Sequence, residues 1–380
     1  MVSPAMSVDT RRPLRIALMI ESDGPGGAEL MMLDLATELR ARGHSVLPVN
    51  LAGGTGWLGE RFRDAGFEPT TFDLHRAIDF PAVRQLTEIL RDFRADIVHS
   101  HEFTMAIYGA AGARRAGARH VITMHGGLYY SLKWRRRAAL RWAARRSDAL
   151  VGVSAATASA LRKQLGVSDA RVHVIPNGIP LRTGARDRVR RELSIAPGEL
   201  LIVSVGNLYP VKGHAVLIDA LATLRDRAGW RLAIAGRGEE EPRLRAQAAA
   251  AGIGERVHLL GFRDDVADIF AAGDLFAMPS LSEGLPLALV EAMSFGLPVV
   301  VSRVGGVPEV VTNDVEGLLV PPSDPGALAL AIRSLLDDPA RRSRQGGAAR
   351  TRALRDYAIG TMVDRYERLY RGGADITSMG

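Results

Sequence analysis

Short apolar runs alternate with helical stretches along most of the chain. The runs are typical of buried strands, and between them apolar residues recur at the three- and four-residue spacing of amphipathic helices. This alternation predicts parallel sheets covered by helices on both faces, because parallel strands need a crossover connection. The predicted strands of the first half are Arg15–Ile20, Ser45–Asn50, Ile97–Ser100, His120–Met124, Ala149–Val153 and Val172–Ile175, and the helices between them include Ala28–Ala41, Pro81–Phe93 and Ala155–Leu165.

A second series of the same kind follows in the C-terminal half. Its predicted strands are Leu200–Val205, Arg231–Ala235, Val257–Leu260, Leu275–Met278 and Val299–Val301. The segment Pro176–Gly198 between the two series is rich in Pro, Gly and Arg and lacks apolar periodicity, so we interpret it as a linker. A chain of 380 residues is long enough for two domains with separate cores.

The two series predict an N-terminal domain over residues 1–177 and a C-terminal domain over residues 178–355. The remaining segment, residues 356–380, includes a predicted helix around Thr361–Tyr370. In a two-domain arrangement we expect this helix to cross back and pack on the N-terminal domain.

Composition narrows the class of protein. Hydrophobic residues make up 47% of the chain and charged residues 24%, as in an ordinary globular protein. Cysteine is absent, which excludes disulfides and thiolate metal sites and favours a cytoplasmic location. The apolar run Leu14–Ile20 is short and ends at Glu21, so it fits a core strand better than a signal peptide. The net charge of +7 predicts an anionic partner, and nucleic acid, phospholipid headgroups and nucleotide diphosphates all qualify.

Candidate site residues follow the predicted strands, because ligands of doubly wound sheets bind beyond the carboxyl ends of the strands. After the first strand comes Gly24–Glu29, which opens a helix. Gly26 and Gly27 allow the backbone to approach a ligand, and a helix N-terminus favours negative charge. A tight strand-to-helix turn without a ligand is the alternative. A dinucleotide fingerprint needs glycine at the position of Glu29, so a nicotinamide cofactor is disfavoured.

Three histidines follow two further strands. His99 and His101 end one predicted strand, and His125 comes directly after the next and before two glycines. A histidine at such a rim can donate a hydrogen bond to a hydroxyl or a phosphate. For His99 a role in the core is at least as good an interpretation, so His125 is the stronger candidate. We expect no metal, because no histidine or carboxylate pair has the helical spacing of metal ligands.

In the second half, Val205–Gly213 leaves a strand and enters a helix. Lys212 adds a full charge to the positive end of that helix, which favours a bound diphosphate. No Ser or Thr follows the lysine, so the segment is not a Walker loop. The alternative is an exposed, solvated lysine.

The segment Pro279–Met293 gives the strongest signal. Glu283 lies in the loop after a strand, and Glu291 falls on the following helix among apolar residues. A carboxylate there is costly without partners, and ribose hydroxyls are suitable ones. The amides of Gly284 and Leu285 are expected to point toward a phosphate. Paired acids for hydrolysis are the rival interpretation, which this loop-and-helix placement disfavours.

The spacing of Glu283 and Glu291 resembles the signature of retaining GT-B glycosyltransferases, especially family 4. Nearly the whole chain takes part in the resemblance. The other matching segments are Gly26–Glu29, Val153–Ser154, Ile175–Gly178, Gly206–Gly213, Ala235–Gly238, Leu260–Gly261, Gly296–Val300, Gly305–Glu309 and Gly317–Val320.

The resemblance implies the GT-B architecture, in which two Rossmann-like domains with doubly wound parallel sheets face a central cleft. It places the sugar nucleotide in the C-terminal domain and the acceptor in the N-terminal domain. Lys212 then neutralises the diphosphate, Glu283 holds sugar hydroxyls and Glu291 holds the ribose. The remaining implied donor contacts are the Gly26 and Gly27 amides, His125 at the donor sugar, and Asn207, Gly236, Arg237, Gly284 and Leu285. The reaction retains the anomeric configuration and needs no metal and no cofactor beyond the donor.

One position departs from the family pattern. Asn207 stands where members usually carry an arginine that shares the diphosphate with the lysine. Either Lys212 and backbone amides suffice, or Arg237 or Arg303 compensates. A uridine diphosphate sugar is the favoured donor and a guanosine diphosphate sugar the second choice. The alternatives to transfer are a sugar-nucleotide epimerase of the same fold and a non-catalytic sugar-nucleotide sensor.

The helix predicted at Lys133–Arg146 has a strongly basic composition. It carries seven basic residues and no acidic one, and Trp134, Ala138 and Trp142 share one face. Such a helix is a candidate for an anionic membrane surface. The alternative is that the Trp and Ala face packs on the sheet while the arginines are solvated. We therefore expect a saccharide or lipid-linked acceptor in cell-envelope or exopolysaccharide synthesis, peripheral to the inner face of the cytoplasmic membrane, and no nucleic acid.

Overall fold

The computed structural model describes residues 12–54, 56–126 and 133–373. The chain divides into two compact units. The first unit comprises the chain up to Gly178 together with the segment that begins at Ile359, and the second unit is Ile179–Ala358.

The first unit is built on a parallel sheet of seven strands. The strands are β1 Arg15–Met19, β2 Ser45–Leu51, β3 Thr70–Phe72, β4 Ile97–His101, β5 Arg119–Met124, β6 Ala149–Gly152 and β7 Val172–Val174. Their order in the sheet is β3-β2-β1-β4-β5-β6-β7, with every neighbouring pair parallel. The chain reverses its direction of travel between β1 and β4, so the carboxyl ends of these two strands mark the switch point where ligands of such sheets bind.

Helices cover the sheet of the first unit. They are α1 Gly27–Ala41, α2 Trp57–Asp64, α3 Phe80–Asp92, α4 Glu102–Ala116, α5 Trp134–Arg146 and α6 Ala155–Leu165. All residues of β4 are buried, as expected for a central parallel strand with helices on both faces. Two buried apolar clusters in this unit hold the helices against the sheet.

The second unit repeats the plan with six parallel strands. After the helix α7 Arg186–Glu192 come β8 Leu200–Val205, α8 His214–Ala222, β9 Trp230–Ala235, α9 Glu241–Ala250, β10 Val257–Leu259, α10 Val266–Ala272, β11 Leu275–Met278, α11 Leu287–Ser294, β12 Val299–Ser302, α12 Val307–Val310, β13 Gly317–Val320, α13 Pro325–Asp337 and α14 Pro339–Asp356. The strand order is β10-β9-β8-β11-β12-β13, with its switch point between β8 and β11. A continuous apolar core with Trp230 among its largest members packs against this sheet.

The segment Pro176–Gly198, which was predicted to be a linker, is a linker only in part. Its C-terminal part forms α7 and belongs to the second unit. Only Val189 of this helix is buried, and ion pairs hold it instead: Arg190 to Asp274 at 3.0 Å and Arg188 to Asp268 at 2.9 Å. Apolar periodicity could not reveal such a helix, so the linker interpretation of this part was wrong.

The last helix, α15 Ile359–Tyr370, packs within the first unit. Its Tyr366 and Tyr370 are buried, and their hydroxyls hydrogen-bond Thr123 at 3.0 Å and His99 at 2.7 Å. At its outer side Arg42 pairs with Glu367 at 2.6 Å. None of the helices in the described part of the chain is long and apolar enough to span a membrane.

Candidate functional site

The switch point of the second unit brings Lys212 and Glu283 together. Lys212 lies in a 3-10 turn after β8, and Glu283 lies in the loop after the neighbouring strand β11. The Lys212 Nζ atom is 2.7 Å from the Glu283 Oε1 atom, which makes an ion pair. The lysine side chain is 30% exposed and the glutamate side chain 8% exposed, so the cation faces the surface and the carboxylate lies beneath it.

A glycine fixes the loop that carries Lys212. Gly213 has φ +67, and a Cβ atom on it would lie 2.1 Å from the carbonyl oxygen of Pro279. The amide of Leu281 also donates to the carbonyl of Val211 at 2.8 Å. The loop after β8 is therefore packed directly on the loop after β11, which sets the position of Lys212 relative to Glu283.

A second glycine fixes the backbone of Glu283 itself. Gly305, in the loop after β12, has φ +51, and a Cβ atom on it would lie 1.8 Å from the carbonyl oxygen of Glu283. The amide of Gly306 donates to the carbonyl of Gly284 at 2.9 Å. Gly284 and Leu285 are buried and lead into α11. Three loops thus meet at Glu283.

Glu291 lies on α11 between the fully buried Val290 and Ala292, and the residue itself is partly exposed. It therefore sits on the helix that the loop of Glu283 enters, about one turn after the helix begins at Leu287. The ribose contact of Glu291 stays a prediction.

The loops after β8, β9 and β10 are joined by backbone hydrogen bonds. The amide of Gly236 donates to Gly261 at 2.9 Å, and the amide of Leu208 donates to Arg237 at 2.9 Å. Arg237 is exposed, and its guanidinium lies 5.8 Å from the centroid of the Phe262 ring. Asn207 is partly exposed on the same edge. The predicted residues Asn207, Gly236 and Arg237 thus lie at one edge of the second sheet.

His214 was missed by sequence reasoning. It follows Gly213 directly and is 4% exposed. Burial lowers its pKa to about 4, while the nearby backbone of Gly206 and Asn207 offsets part of that effect. Neither ring nitrogen makes a hydrogen bond of good geometry to any residue that the structure describes. The residue is therefore a neutral group beneath the Lys212 loop. The only sequence signal for it was its position two residues after Lys212.

In the first unit, the turn at Gly26 and Gly27 opens α1, and an acidic side chain already lies against it. A Cβ atom on Gly26 would lie 2.4 Å from the Glu29 Oε2 atom. Glu29 is 8% exposed, and burial raises its pKa, while a hydrogen bond from Ser22 lowers it. A carboxylate at this helix N-terminus competes with a phosphate for the same amides. The phosphate contact of Gly26 and Gly27 stays a prediction. A phosphate that binds there must displace the Glu29 carboxylate or bind when that carboxyl is protonated.

The histidines of the first unit divide into a core member and a pair at the rim. His99 is fully buried, and its ring nitrogens bond Tyr370 and Thr123 at 2.7 Å each, so it has the core role. His101 Nδ1 lies 2.8 Å from His125 Nε2, with His101 fully buried and His125 partly exposed. Burial lowers the pKa of His125 to about 4 and that of His101 well below its usual range.

Possible metal ligands do not converge in the part of the chain that the structure describes. Among residues 12–54, 56–126 and 133–373, no three His, Asp or Glu side chains are grouped so as to hold a metal ion. The glycine that follows Gly126 lies outside the described residues.

The basic helix α5 buries the face opposite to its tryptophans. Leu140, Ala143 and Ala144 pack inward. Trp134 is 68% exposed and Trp142 36% exposed. The interpretation that the Trp and Ala face packs on the sheet is therefore wrong. The exposed tryptophans lie beside guanidinium groups, with Arg146 4.6 Å from the ring centroid of Trp142.

Comparison with known proteins defines the class of this fold and site. The family model described as Glycosyltransferase Family 4 matches residues 25–183, and the model described as Glycosyl transferases group 1 matches residues 185–352. The chain is 32% identical over 305 residues to the GDP-mannose-dependent alpha-(1-6)-phosphatidylinositol monomannoside mannosyltransferase of Mycolicibacterium smegmatis, covering 73% of this chain and 78% of the relative. It is 29% identical over 307 residues to the UDP-Gal:alpha-D-GlcNAc-diphosphoundecaprenol alpha-1,3-galactosyltransferase of Escherichia coli, covering 77% and 79%.

A solved structure agrees with these relatives. Anabaena HepE in complex with UDP and glucose superposes with a TM-score of 0.85 and 25% identity, covering 94% of this chain and all of the other. The fold and the matched sequence define a glycosyltransferase. The chain belongs to glycosyltransferase family 4, with two parallel-sheet α/β domains of the GT-B class. The family and the fold class predicted from the sequence are confirmed.

Proposed function

We propose that the protein transfers a sugar from a nucleoside diphosphate sugar to a lipid-linked or saccharide acceptor of a cell-envelope glycan, at the inner face of the cytoplasmic membrane. The observation that carries the proposal is the Lys212–Glu283 ion pair at the switch point of the second sheet. Two relatives support the acceptor class, because one is named for a diphosphoundecaprenol acceptor and the other for a phosphatidylinositol mannoside acceptor.

The ion pair gives each residue a role in transfer. An ammonium group has three N–H donors, so Lys212 can keep its bond to Glu283 and still donate to phosphate oxygens. Its charge stabilises the diphosphate as the bond between the anomeric carbon and the phosphate oxygen breaks. Glu283 holds the lysine in place and accepts from hydroxyls of the donor sugar.

The stereochemistry of the proposal is retention. The acceptor oxygen attacks the anomeric carbon on the face that the diphosphate leaves, and the acceptor proton passes to an oxygen of the departing diphosphate. The new glycosidic bond replaces the broken one, and the products are the glycoside and the nucleoside diphosphate. Lys212 and helix N-termini supply the positive charge that a metal supplies in other transferases, so the proposed reaction needs no bound metal.

The donor is tested by thermal shift with UDP-, GDP-, ADP- and dTDP-sugars. At a hundredfold excess over Kd, a ligand stabilises the folded state by about 2.7 kcal/mol. For a unit of this size that raises the Tm by roughly 5–10 °C. We expect a shift with one nucleotide class, UDP first, and its loss in the Glu291→Ala variant.

The matched control is Glu241→Ala, which removes a glutamate from α9, where Glu241 pairs with Arg245. This variant should keep the shift. Absence of a shift with every nucleotide sugar would contradict the proposed donor. An equal loss in both variants would contradict the role of Glu291.

The exposed face of α5 supports a membrane-bound acceptor. It presents tryptophans together with the basic residues Lys133, Arg135, Arg136, Arg137, Arg141, Arg145 and Arg146, all of them exposed. Tryptophan is favoured at the headgroup level, and each basic residue near an anionic surface adds about 1 kcal/mol of attraction. The same helix has its own buried face, so membrane contact requires no rearrangement of the unit.

Replacing Arg135, Arg136 and Arg137 with Glu should weaken binding to phosphatidylglycerol vesicles by at least about a hundredfold, since three attractive charges become repulsive. Sedimentation with vesicles at low salt measures this, with phosphatidylcholine vesicles as the neutral reference. The control variant makes the same change of charge in the second unit, at the exposed Arg243, Arg245 and Arg333. Equal weakening in the two variants would show an effect of net charge alone and sink the role of α5.

A further inference from the structure

The pair of His101 and His125 leaves two ring nitrogens without partners. The two rings are nearly parallel, with centroids 5.1 Å apart and planes at 12°, and one hydrogen bond of 2.8 Å joins their edges. His101 Nε2 and His125 Nδ1 are both buried and have no hydrogen-bond partner in the described part of the chain. Among the described residues, the two imidazoles therefore share one hydrogen bond and each has a second ring nitrogen without a partner.

Protonation limits this pair to two arrangements. Burial depresses the pKa of both rings below neutrality, so each carries one N–H at neutral pH. In the first arrangement His101 Nδ1–H donates to His125 Nε2, and the proton of His125 sits on Nδ1. In the second, His125 Nε2–H donates to His101 Nδ1, and the proton of His101 sits on Nε2.

The two arrangements differ in where the unpaired N–H lies. A buried donor without an acceptor costs about 1–3 kcal/mol. In the second arrangement this donor is on His101, which is fully buried. In the first it is on the Nδ1 atom of His125, which is also buried but belongs to a partly exposed residue just beyond the end of β5. The first arrangement is therefore favoured, because it places the unpaired donor on the residue that lies nearer the surface.

The surroundings hold His101 in this orientation. His101 ends β4, and its ring lies 4.3 Å from the ring of His99. His99 is fixed in turn by hydrogen bonds to Tyr370 of α15 and Thr123 of β5. Within the described residues the ring of His101 hydrogen-bonds only His125, so its Nδ1 atom determines the tautomer of its neighbour.

We propose that His101 is a positioning residue that holds His125 as the Nδ1–H tautomer, so that His125 presents a neutral donor to an oxygen of the bound substrate. That oxygen belongs to a hydroxyl or a phosphate, because both accept a hydrogen bond. The tautomer is a property of the protein without ligand, and only the identity of the acceptor oxygen rests on the proposed function.

Long-range ¹⁵N–¹H NMR of the full chain, labelled at histidine, tests the tautomer directly. The spectra of His101→Asn and His125→Gln assign the two rings. We expect both rings to be protonated on Nδ1 at neutral pH. Protonation of His125 on Nε2 would overturn the proposal, whatever the enzyme transfers.

Kinetics then test the positioning role. Asn places an amide N–H near the position of Nδ1, whereas Leu has a similar volume and no donor. We expect His101→Leu to lower kcat/KM for sugar transfer about tenfold and His101→Asn to recover most of that loss. In a His125→Ala background, His101→Leu should cause no further loss, because the two residues act as one unit. Equal losses in Leu and Asn, or additive losses in the double variant, would show that His101 only fills space.

Discussion

Replacing Lys212 with Met is expected to lower kcat for sugar transfer about a thousandfold. Removal of one preorganised donor to a developing charge costs about a hundred- to a thousandfold in rate, and Lys212 carries a full charge. Asn207 stands where the family pattern has an arginine, and its amide side chain brings no charge. We therefore expect the diphosphate to depend more strongly on the charge of Lys212. Steady-state release of nucleoside diphosphate measures the effect.

The controls for this variant use the same chemistry elsewhere. Lys163→Met removes an exposed lysine from the last turn of α6 and should leave kcat unchanged. Because Lys212→Met strips the buried Glu283 carboxylate of its cation, urea unfolding should show destabilisation that the Lys212→Met, Glu283→Gln double variant reverses. The double variant should stay inactive. A loss of less than tenfold in the single variant would leave Lys212 without its proposed role.

The sequence predicts Lys212 and Glu283 as site residues, because both follow strands of a doubly wound sheet, and their role stays a prediction. It could not predict that they touch. The two residues are 71 positions apart, and their contact depends on β8 lying next to β11 in the strand order. Strand order is set by packing of the whole sheet, which no local pattern records.

The difference between local patterns and tertiary contacts also explains why the sequence did not reveal the orientation of the basic helix α5. Along α5, Leu140, Ala143 and Ala144 form one apolar stripe, and Trp134, Ala138 and Trp142 form another. Either stripe satisfies helical periodicity, so the sequence alone allowed both orientations. Leu140, Ala143 and Ala144 join the buried cluster of the first unit, so tertiary contacts and not helical periodicity decide which stripe faces inward.

Two short strands were missed for a related reason. Thr70–Phe72 has three residues and Gly317–Val320 begins with glycine, so neither gives a strong strand signal. Their neighbours provide the template that forms them: β2 pairs with the first and β12 with the second. Edge strands of this kind depend on tertiary contacts more than on their own composition.

The glycine at position 305 is expected to be needed for both stability and rate. An Ala there must adopt the left-handed conformation, at about 1–2 kcal/mol, and its Cβ atom would lie 1.8 Å from the carbonyl oxygen of Glu283. The Glu283 backbone must shift by about 1 Å to relieve this contact, and a displacement of that size costs on the order of a hundredfold in rate. We expect Gly305→Ala to lower kcat about a hundredfold and the free energy of unfolding by about 3 kcal/mol.

Gly296→Ala is the control that separates the cost of the left-handed backbone conformation from the effect of displacing Glu283. Gly296 has φ +78, so Ala suffers the same conformational cost, but the nearest atom to its Cβ would be the carbonyl oxygen of Gly346 at 3.7 Å, an ordinary contact. This variant should lose about 1–2 kcal/mol of unfolding free energy and keep its kcat. Since both substitutions add one methyl group at positive φ in the same unit, only the contact with Glu283 distinguishes them. Equal kcat values for Gly305→Ala and Gly296→Ala, measured without urea, would mean that the position of Glu283 does not control transfer. The proposed site would then have to be centred on Glu291.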